Sequence, residues 1–444
     1  MPTHPSSQTE WDDGKRRVVI LGGGFAGVTV ARRLERQLPQ DWDIFLLSKS
    51  NVITYNPLLP EVVGATLLPG HAVAPLRHIL RRTRIRMVEV TNVDLERRYV
   101  EYNQPSPDRI RFDHLVLACG LTARMDVVPG MADHGVPLKS LGDALYVRNQ
   151  TIGQLEEATL CYDPQRNRCL TSFVVAGGGF SGVEAAGELQ DLLNSAAPLF
   201  KRVAADSCHV HLVHSGPVLL PEVSPALGRY TQRLMEKRGI RVHLNSRVHS
   251  VAADHVLLND GTELPAAMVV NTIGTTPHQF ISRLPIANER GRIEVDEHLQ
   301  VPGTDGIWAL GDCAEVPNQA TGAASPTTAQ FAMRQATLLA HNLIQELQQA
   351  PKQSFAYQAR GQLAAIGHRK AVAEVYGVKL SGLLAWFLWR AFYLFHIPTL
   401  SRKVRLFLEW NWAMLFPKDI AQLDFSRTHK GDSGTSASDS AASQ

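Results

Sequence analysis

The sequence of 444 residues has little cysteine, little excess charge and no long apolar run. Its five cysteines form no CxxC pair and no metal-ligand spacing, which argues against a disulfide framework and against a metal site. Lys and Arg number 45 against 42 Asp and Glu, so the charge gives no sign of a nucleic-acid partner. No stretch reaches the about 20 apolar residues of a membrane-spanning helix, because the nearest one, residues 380–397, contains Arg390.

The amino terminus lacks the apolar core of a secretory signal, and we interpret residues 1–15 as a polar tail. Residues 427–444 are small and polar, which predicts a disordered tail. The chain as a whole is 44% apolar, enough for several buried cores. Because cysteine is scarce and unpaired in pattern, a reducing compartment is the default expectation.

One pattern occurs twice: a short apolar strand, a glycine-rich turn and a helix. The strand at 17–21 precedes GGGFAG, and the strand at 172–176 precedes GGGFSG. In GxGxxG the first glycine permits a tight turn, the second lets backbone approach a pyrophosphate, and the third lets the helix pack on the strand. The glycines of the two predicted dinucleotide sites are Gly22, Gly24 and Gly27, then Gly177, Gly179 and Gly182.

The second strand of each unit, at 43–48 and at 209–214, ends without the acidic residue that binds ribose hydroxyls in such sites. Ser48 can bond a hydroxyl, but more weakly. His214 lacks the fixed negative charge that would repel a 2′-phosphate, so the residues leave the choice between NADH and NADPH open. The alternative interpretation of His214 is an ordinary strand-end surface histidine.

Three further segments have a clear character. Residues 75–86 are an arginine-rich helix candidate, and residues 325–347 combine Ser325 as N-cap, Pro326 and a helical apolar period, which predicts a helix. Residues 366–426 contain four of the seven tryptophans, and Trp concentrates where an apolar phase meets water. Their aromatic and basic residues, Arg390 among them, suit helices in a lipid headgroup region, whereas an apolar core or a dimer face is the alternative.

The two glycine turns occur together with the strand end ACG at 118–120, GIWALGDCAEV at 306–316 and the helix after it. This combination is typical of flavoprotein reductases with two dinucleotide-binding domains. Within that group the sequence resembles the type II NADH:quinone oxidoreductases over about residues 16–425. The segments that carry the resemblance are NPLLPEVVGATL (56–67), PLKSLGDALYVRNQTI (137–152), AQFAMRQ (329–335), GHRKAV (367–372) and LSGLLAWFLWR (380–390).

The resemblance implies an α/β fold with two Rossmann-like dinucleotide-binding domains and a C-terminal membrane-docking segment. The FAD domain would be split in sequence, at 16–124 and 289–365, with the NAD(P)H domain inserted at 125–288. The membrane-anchoring segment would cover 366–426.

The resemblance also implies site residues by position. Those at which the cofactors would bind are Gly22, Gly24, Phe25, Ala26, Gly27, Ser48, Lys49, Cys119, Gly120, Gly177, Gly179, Phe180, Gly182, Glu184, His214, Gly274, Gly311, Asp312, Ala329 and Gln330. Those implied to act in catalysis are Glu184, Gln330 and Arg334. Glu184 lies in a first helical turn, where the helix dipole alone favours a negative charge, and the resemblance adds a link to proton delivery.

The implied function is that of a non-proton-pumping NAD(P)H:quinone oxidoreductase. NADH or NADPH would pass a hydride to N5 of FAD, and the reduced flavin would pass two electrons to a membrane quinone. The implied partners are the quinone and a membrane lipid surface, with a homodimer as a further expectation. The implied location is the cytoplasmic face of the cell membrane, as a peripheral protein.

The sequence departs from the family at one catalytic position. The family's AQxAxQ helix has two glutamines four residues apart, whereas this chain has Gln330 and Arg334, with Gln335 one step round the helix. An arginine could donate hydrogen bonds to a quinone carbonyl and stabilise a quinol anion, or it could narrow the pocket. Gln330 could also be an ordinary solvated helix residue.

Two other functions stay open. One is a sulfide:quinone reductase or a reductase with another acceptor, although Cys161 and Cys169 are eight residues apart in a loop and suit structural or incidental thiols. The other is a membrane-associated flavin redox sensor or assembly protein, which the departures at His214 and Arg334 could reflect.

Overall fold

The structure, a computed structural model, describes residues 14–103, 107–204 and 207–423. The predicted disordered tail at 427–444 and nearly all of the predicted polar tail at 1–15 lie outside these residues. Within the described ranges, no helix has both the length and the apolar character needed to span a bilayer.

The described chain up to residue 123 contains short strands and three α-helices. The strands are β1 Arg16–Leu21, β2 Trp42–Ser48, β3 Val52–Thr54, β4 Val73–Pro75, β5 Arg84–Met87, β6 Glu89–Asp94, β7 Tyr99–Asn103, β8 Pro107–Arg111, β9 His114–Leu117 and β10 Leu121–Ala123. The helices are α1 Phe25–Gln37, α2 Leu59–Val63 and α3 Leu76–Ile79.

The middle of the chain repeats the alternation of strands and helices. The strands are β11 Gly135–Pro137, β12 Ser172–Ala176, β13 His209–Val213, β14 Arg241–His243, β15 Val248–Val251, β16 His255–Leu258, β17 Glu263–Pro265, β18 Met268–Asn271, β19 Thr275–Pro277 and β20 Asn288–Glu289. The helices are α4 Met131–His134, α5 Leu141–Leu160, α6 Pro164–Leu170, α7 Phe180–Ala196 and α8 Pro225–Lys237.

The remaining described chain ends in a helix pair. The strands are β21 Arg292–Glu294, β22 Ile307–Ala309, β23 Ala314–Glu315, β24 Pro317–Asn318, β25 Ala323–Ala324, β26 Gly361–Gly367, β27 Lys370–Val375 and β28 Val378–Gly382. The helices are α9 Ala329–Leu347, α10 Leu383–His396 and α11 Leu400–Leu415.

The first central sheet is parallel, with the strand order β22-β9-β1-β2-β5. Its strands are runs of fully buried apolar residues, as at 18–21 in β1, because helices cover both faces of a parallel sheet. β22 pairs with β9 although the whole middle of the chain separates them in sequence. The first domain is therefore split in sequence, as the resemblance implied.

The second central sheet is also parallel, with the order β11-β18-β12-β13-β14. The unit β12-α7-β13 repeats the arrangement of β1-α1-β2, with the two strands of each unit side by side. The predicted α/β fold with two Rossmann-like domains, one inserted into the other, is confirmed.

The short antiparallel pair of β10 and β19 joins the two domains, with Leu121 opposite Pro277 and Ala123 opposite Thr275. It lies where the chain leaves the first domain and where it returns. The predicted boundary at 366 falls inside β26, and the residue boundaries of the domains stay predictions.

Two predicted helices are shorter in the structure than the sequence predicted. The arginine-rich candidate is helical only over α3, because the Glu35 carboxylate accepts hydrogen bonds from the backbone N–H groups of Arg81, Arg82 and Thr83 and turns the chain away. The helix predicted from Pro326 begins at Ala329, with Thr328 as N-cap. The chain before it is held in the β24-β25 hairpin, with the Ser325 N–H bonded to the Val316 carbonyl at 2.9 Å.

The C-terminal unit consists of the antiparallel sheet β26-β27-β28 followed by α10 and α11. α7 of the second domain packs against β26 at Gly187, where any Cβ would overlap the Ile366 carbonyl. α10 packs on the other strands of the small sheet. The C-terminal unit is therefore joined to the second domain through α7.

Arg390 in α10 joins the same unit to the first domain. Its guanidinium lies 3.8 Å from the ring centroid of Trp386 and 4.9 Å from that of Trp410. Its Nη1 donates to the Trp410 carbonyl at 3.2 Å, and its Nη2 lies 3.9 Å from Oε1 of Glu61 in α2. Trp410 Nε1 donates to the other Glu61 oxygen at 2.7 Å.

The expectation that Arg390 belongs to a lipid-facing basic surface is therefore wrong. Arg390 is only 9% exposed, and Glu61 is only 3% exposed. Burial raises the pKa of the Glu61 carboxyl above its ordinary value, and the neighbouring Arg390 charge opposes that shift. A buried carboxylate and two indole rings surround this guanidinium, so it does not face lipid headgroups.

We expect Arg390→Ala to lower the free energy of unfolding by about 3 kcal/mol, because it leaves Glu61 buried without its cation. Arg405→Ala on exposed α11 is the matched control and should stay within about 0.5 kcal/mol of the parent. Thermal or denaturant unfolding measures both. Equal losses in the two variants would contradict the assigned role of Arg390.

Candidate functional site

The first glycine turn closes tightly between β1 and α1. Gly22 has φ +114°, and a Cβ there would overlap the Ala118 carbonyl oxygen at the end of β9. Its N–H donates to the Leu47 carbonyl at 2.9 Å. A Cβ on Gly27 would overlap the Gly22 carbonyl, so α1 can approach β1 only with glycine at this position.

The middle of this turn is open, in contrast to its ends. A Cβ on Gly24 would meet no atom within 4 Å, and Gly24 is the N-cap of α1. Phe25 and Ala26 form the first turn of that helix, with Phe25 edge-on to Tyr55 at 5.5 Å. The free backbone N–H groups of a helix start together with open space form a cradle for a diphosphate.

The second glycine turn repeats this geometry between β12 and α7. Gly177 has φ +113°, and its N–H donates to the Val213 carbonyl at 2.9 Å. A Cβ on Gly182 would overlap the Gly177 carbonyl, and Gly179 is the N-cap of α7, followed by Phe180. The chain therefore has two dinucleotide cradles of one design.

The strand-end residues both turn toward the glycine turn. Ser48 Oγ lies 2.5 Å from where a Gly23 Cβ would be, and His214 Cγ lies 2.5 Å from where a Gly178 Cβ would be. The neighbouring Lys49 forms an exposed ion pair with Glu89 at 2.5 Å. Ser48 and His214 therefore help to shape the turns.

The ends of β9 and β22 form the far wall of the first cradle. Gly120 has φ +64° with open space around it, and Gly311 has φ +73°, with the Ala26 Cβ 3.3 Å from where a Gly311 Cβ would be. Asp312 follows Gly311 and is partly buried, which raises the pKa of its carboxyl, while the charge of Lys139 acts in the opposite direction. A carboxylate here can accept hydrogen bonds from sugar or ribityl hydroxyls.

Gln335 holds this wall in place, a role that sequence reasoning missed. Its side chain is 2% exposed, and its Oε1 accepts a hydrogen bond from the Gly311 N–H at 2.8 Å. The sequence offered one signal for this role: Gln335 follows Arg334 directly, so its side chain lies further round α9, on the inner side of the helix.

Cys119 and Cys313 follow these two strands, and Cys313 Sγ lies 3.5 Å from the carbonyl oxygen of Leu117 at the end of β9. Burial raises the pKa of Cys119 well above its ordinary value and that of Cys313 to about 11. Both are therefore thiols rather than reactive thiolates at neutral pH. Cys161 follows α5 and Cys169 lies on α6 before β12, where Cys169 Sγ bonds to the Asp254 carbonyl.

The start of α9 presents Gln330 and Arg334 on one side. Ala329 and Gln330 are half-buried, whereas Arg334 is exposed, with its guanidinium 5.4 Å from the ring centroid of Tyr357. The structure therefore stacks Arg334 on Tyr357, a residue that the sequence did not single out.

Glu184 and Gly274 lie apart from the turns themselves. Glu184 lies in the second turn of α7 and not in the first turn as predicted, so the helix dipole does not account for a carboxyl there. It is 6% exposed, its Oε1 accepts from the Ala365 N–H at 3.0 Å, and burial raises its pKa to about 8. Gly274 has φ +71° between β18 and β19. His278, just after β19, is a further residue that sequence reasoning missed. Burial and the charge of Lys49 lower the pKa of its ring, while a hydrogen bond to the Cys119 backbone acts in the opposite direction.

Comparison with known proteins gives the following matches. Residues 16–336 match the family model described as pyridine nucleotide-disulphide oxidoreductase, and residues 359–419 match the one described as NDH2 C-terminal domain. Type II NADH:quinone oxidoreductase NdhA from Mycobacterium tuberculosis is 30% identical, over 90% of this chain and 87% of its own length. Demethylphylloquinone reductase NdbB from Synechocystis sp. is 31% identical, over 90% of this chain and 96% of its own length.

Among solved structures, NDH2 from Plasmodium falciparum in complex with NADH superposes with a TM-score of 0.85 at 20% identity. It covers 92% of this chain and 100% of the other. At this identity the likeness shows a common fold, including the C-terminal unit.

We expect Gly24→Val to abolish flavin binding while the protein still folds. The new side chain would fill the open cradle, and its Cβ would overlap no protein atom. Gly70→Val is the matched control, since a Cβ at Gly70 also meets open space but lies outside both turns. Flavin absorbance per protein, with circular dichroism as the check on folding, should show a loss of at least about tenfold only for Gly24→Val. Retained flavin in that variant would contradict the cradle.

Glu184 gives a pH-dependent prediction. At a pH between the ordinary pKa of a glutamic acid and about 8, Glu184 holds a proton in the folded protein that the unfolded chain has released. The free energy of unfolding therefore falls as pH rises through this range. Glu184→Gln should flatten that fall, whereas Glu236→Gln, exposed on α8, should leave it unchanged. The measurement is the unfolding midpoint of each protein at about pH 5 and about pH 8. The same change in midpoint with pH in the parent and both variants would refute the role given to Glu184.

Proposed function

This chain belongs to the type II NADH:quinone oxidoreductases, within the pyridine nucleotide-disulphide oxidoreductase family, and on that premise we infer that its two cradles serve one reaction. The protein is an FAD-dependent NAD(P)H:quinone oxidoreductase that catalyses NAD(P)H + H⁺ + quinone → NAD(P)⁺ + quinol. The observation that carries this conclusion is the repeat of a complete glycine turn, at Gly22 and at Gly177, in one chain.

The residues of the first domain fit FAD. The open cradle at Gly24 and the helix start behind it suit the diphosphate, and Asp312 suits a sugar or ribityl hydroxyl. FAD, when bound, supplies the two-electron carrier between the nicotinamide and the quinone. Gln335 fixes the Gly311 backbone, so the wall that would face the cofactor is held in place before binding.

The residues of the second domain fit the nicotinamide nucleotide. Gly177, Gly179 and the start of α7 would take its diphosphate. Glu184, one helical turn further on, holds a proton at its carboxyl at neutral pH and is therefore suited to exchange a proton during quinol formation. Gln330 and Arg334 lie at the start of α9, and we propose that they face the quinone side.

The protonated thiols of Cys119 and Cys313 do not favour sulfide chemistry. A sulfide:quinone reaction needs a cysteine that attacks as a thiolate, and burial keeps Cys119 and Cys313 protonated. We therefore place the electron donor at the second glycine turn.

The C-terminal helices present an apolar face to solvent. Its members lie on α10 and α11 and are 49% to 78% exposed: Leu383, Leu384, Phe387, Phe395, Leu400, Val404, Phe407, Leu408, Trp412 and Leu415. On α11 they recur every three or four residues and form one stripe. Such a face rimmed by Lys403 and Arg405 suits the headgroup region of a bilayer.

We propose that this apolar face docks on the cytoplasmic face of the cell membrane, where a quinone dissolved in the lipid reaches the site. An amphipathic helical surface of this kind can lie in the headgroup region with its apolar side inserted. A homodimer stays a prediction.

The function is tested by steady-state turnover of the flavin-loaded protein with NADH and NADPH, each with a short-chain quinone and with sulfide as the alternative donor. We expect quinone-dependent oxidation of at least one nucleotide and none of sulfide. Full flavin occupancy without nucleotide oxidation would instead support a redox sensor.

The docking proposal predicts the behaviour of two triple variants. Phe387→Ser with Leu408→Ser and Trp412→Ser should release the protein from anionic liposomes, because it removes three members of the apolar face. The matched control carries Val127→Ser, Leu160→Ser and Leu199→Ser, which are 40% to 75% exposed elsewhere. Sedimentation with liposomes is the measurement.

Turnover with a water-soluble quinone should be kept in both triple variants, since the changes lie outside the cradles. If the first variant still sediments with liposomes like the control, the apolar face is not the membrane anchor.

A further inference from the structure

His214, at the end of β13, is held against the glycine turn. Its Nδ1 accepts a hydrogen bond from the Gly178 N–H at 3.2 Å, so the ring proton is on Nε2. The ring also fills the space beside Gly216, whose Cβ would lie 2.8 Å from Nε2. Burial lowers the pKa of His214, so the ring is neutral at physiological pH. It provides neither the carboxylate that binds a ribose nor the cation that binds a 2′-phosphate.

The loop after β13 is fixed to the same turn from the other side. The Leu220 N–H donates to the Gly178 carbonyl at 2.8 Å, and the Val223 N–H donates to the Leu220 carbonyl at 3.0 Å. Leu219 and Leu220 are fully buried. Gly178 thus bonds to His214 through its N–H and to the loop through its carbonyl, which fixes the position of the loop relative to the cradle.

Glu222 is the residue that this fixed loop places over the cradle. Its Oε1 lies 3.1 Å from where a Cβ of Gly179 would be, and Gly179 is the glycine that a diphosphate approaches. Its negative charge also acts on the pKa of the His214 ring, in the direction opposite to burial. Glu222 is exposed, and no hydrogen bond or ion pair of its carboxylate is found within the described residues.

We propose that Glu222 binds the adenosine ribose hydroxyls of the nicotinamide nucleotide and so selects NADH over NADPH. The inference rests on the proposed function, because it takes the second glycine turn as the nucleotide site. A carboxylate at this point accepts hydrogen bonds from the 2′- and 3′-hydroxyls of NADH and repels the 2′-phosphate of NADPH. It supplies from a loop the negative charge that the strand end lacks.

The test is calorimetric titration of the flavin-loaded full chain with ADP-ribose and with 2′-phospho-ADP-ribose. Neither probe carries a nicotinamide, so binding is measured apart from hydride transfer. We expect the parent to prefer ADP-ribose, and Glu222→Gln to weaken ADP-ribose binding by about tenfold and to reduce the preference by a similar factor. Glu263→Gln, an exposed carboxylate on β17, is the matched control and should behave as the parent.

Steady-state kinetics give a second readout. Glu222→Gln should raise KM for NADH with little change in kcat, since the contact is far from the nicotinamide and is the same in ground and transition states. Glu222→Asp keeps the charge and should keep part of the preference.

Three results would overturn the proposal. An unchanged ratio of the affinities for the two probes in Glu222→Gln would show that the carboxylate does not bind the ribose hydroxyls. Tighter binding of both probes would show that it only repels the diphosphate. Failure of the parent to bind either probe would reject the second glycine turn as a nucleotide site, and the proposed function with it.

Discussion

The placement of the C-terminal unit depends on one buried guanidinium. Arg390 lies between Trp386 and Trp410 and faces Glu61 of the first domain, so α10, α11 and the distant α2 meet at one charge. A second tie lies nearby, where Lys418 donates to Glu188 of α7 at 3.2 Å. With the inner sides of α10 and α11 fixed in this way, their outer sides are left to form the apolar face.

The two cradles show how one local design serves two ligands. In each, the strand-end side chain packs on the second residue of the turn, Gly23 or Gly178, and the first glycine's N–H is bonded to the neighbouring strand. Ser48 and His214 are therefore part of the turn, and we propose that residues outside the β-α-β unit recognise the sugars. Asp312 is suited to that role in the first domain, and Glu222 in the second.

Sequence patterns predicted what depends on short-range chemistry: the glycine turns and the buried strands around them. The split of the first domain depends on the distant pairing of β9 with β22, and it was implied by the family resemblance. Sequence patterns failed where distant segments decide the outcome. Arg390 looked like a headgroup ligand because composition does not tell which side of an aromatic helix meets Glu61. The Cys119 and Cys313 pair, the hydrogen bond from Gly311 to Gln335, and Glu222 over Gly179 likewise depend on pairings that no local spacing encodes.

The central claim is that electrons pass from a nicotinamide nucleotide through one bound flavin to a quinone. An anaerobic spectral titration of the purified, detergent-solubilised protein tests it most directly. The account predicts that NADH bleaches the flavin absorbance within the time of turnover and that a ubiquinone or menaquinone analogue restores it without oxygen. A flavin that neither NADH nor NADPH bleaches, or a reduced flavin that quinone leaves reduced, would contradict the account.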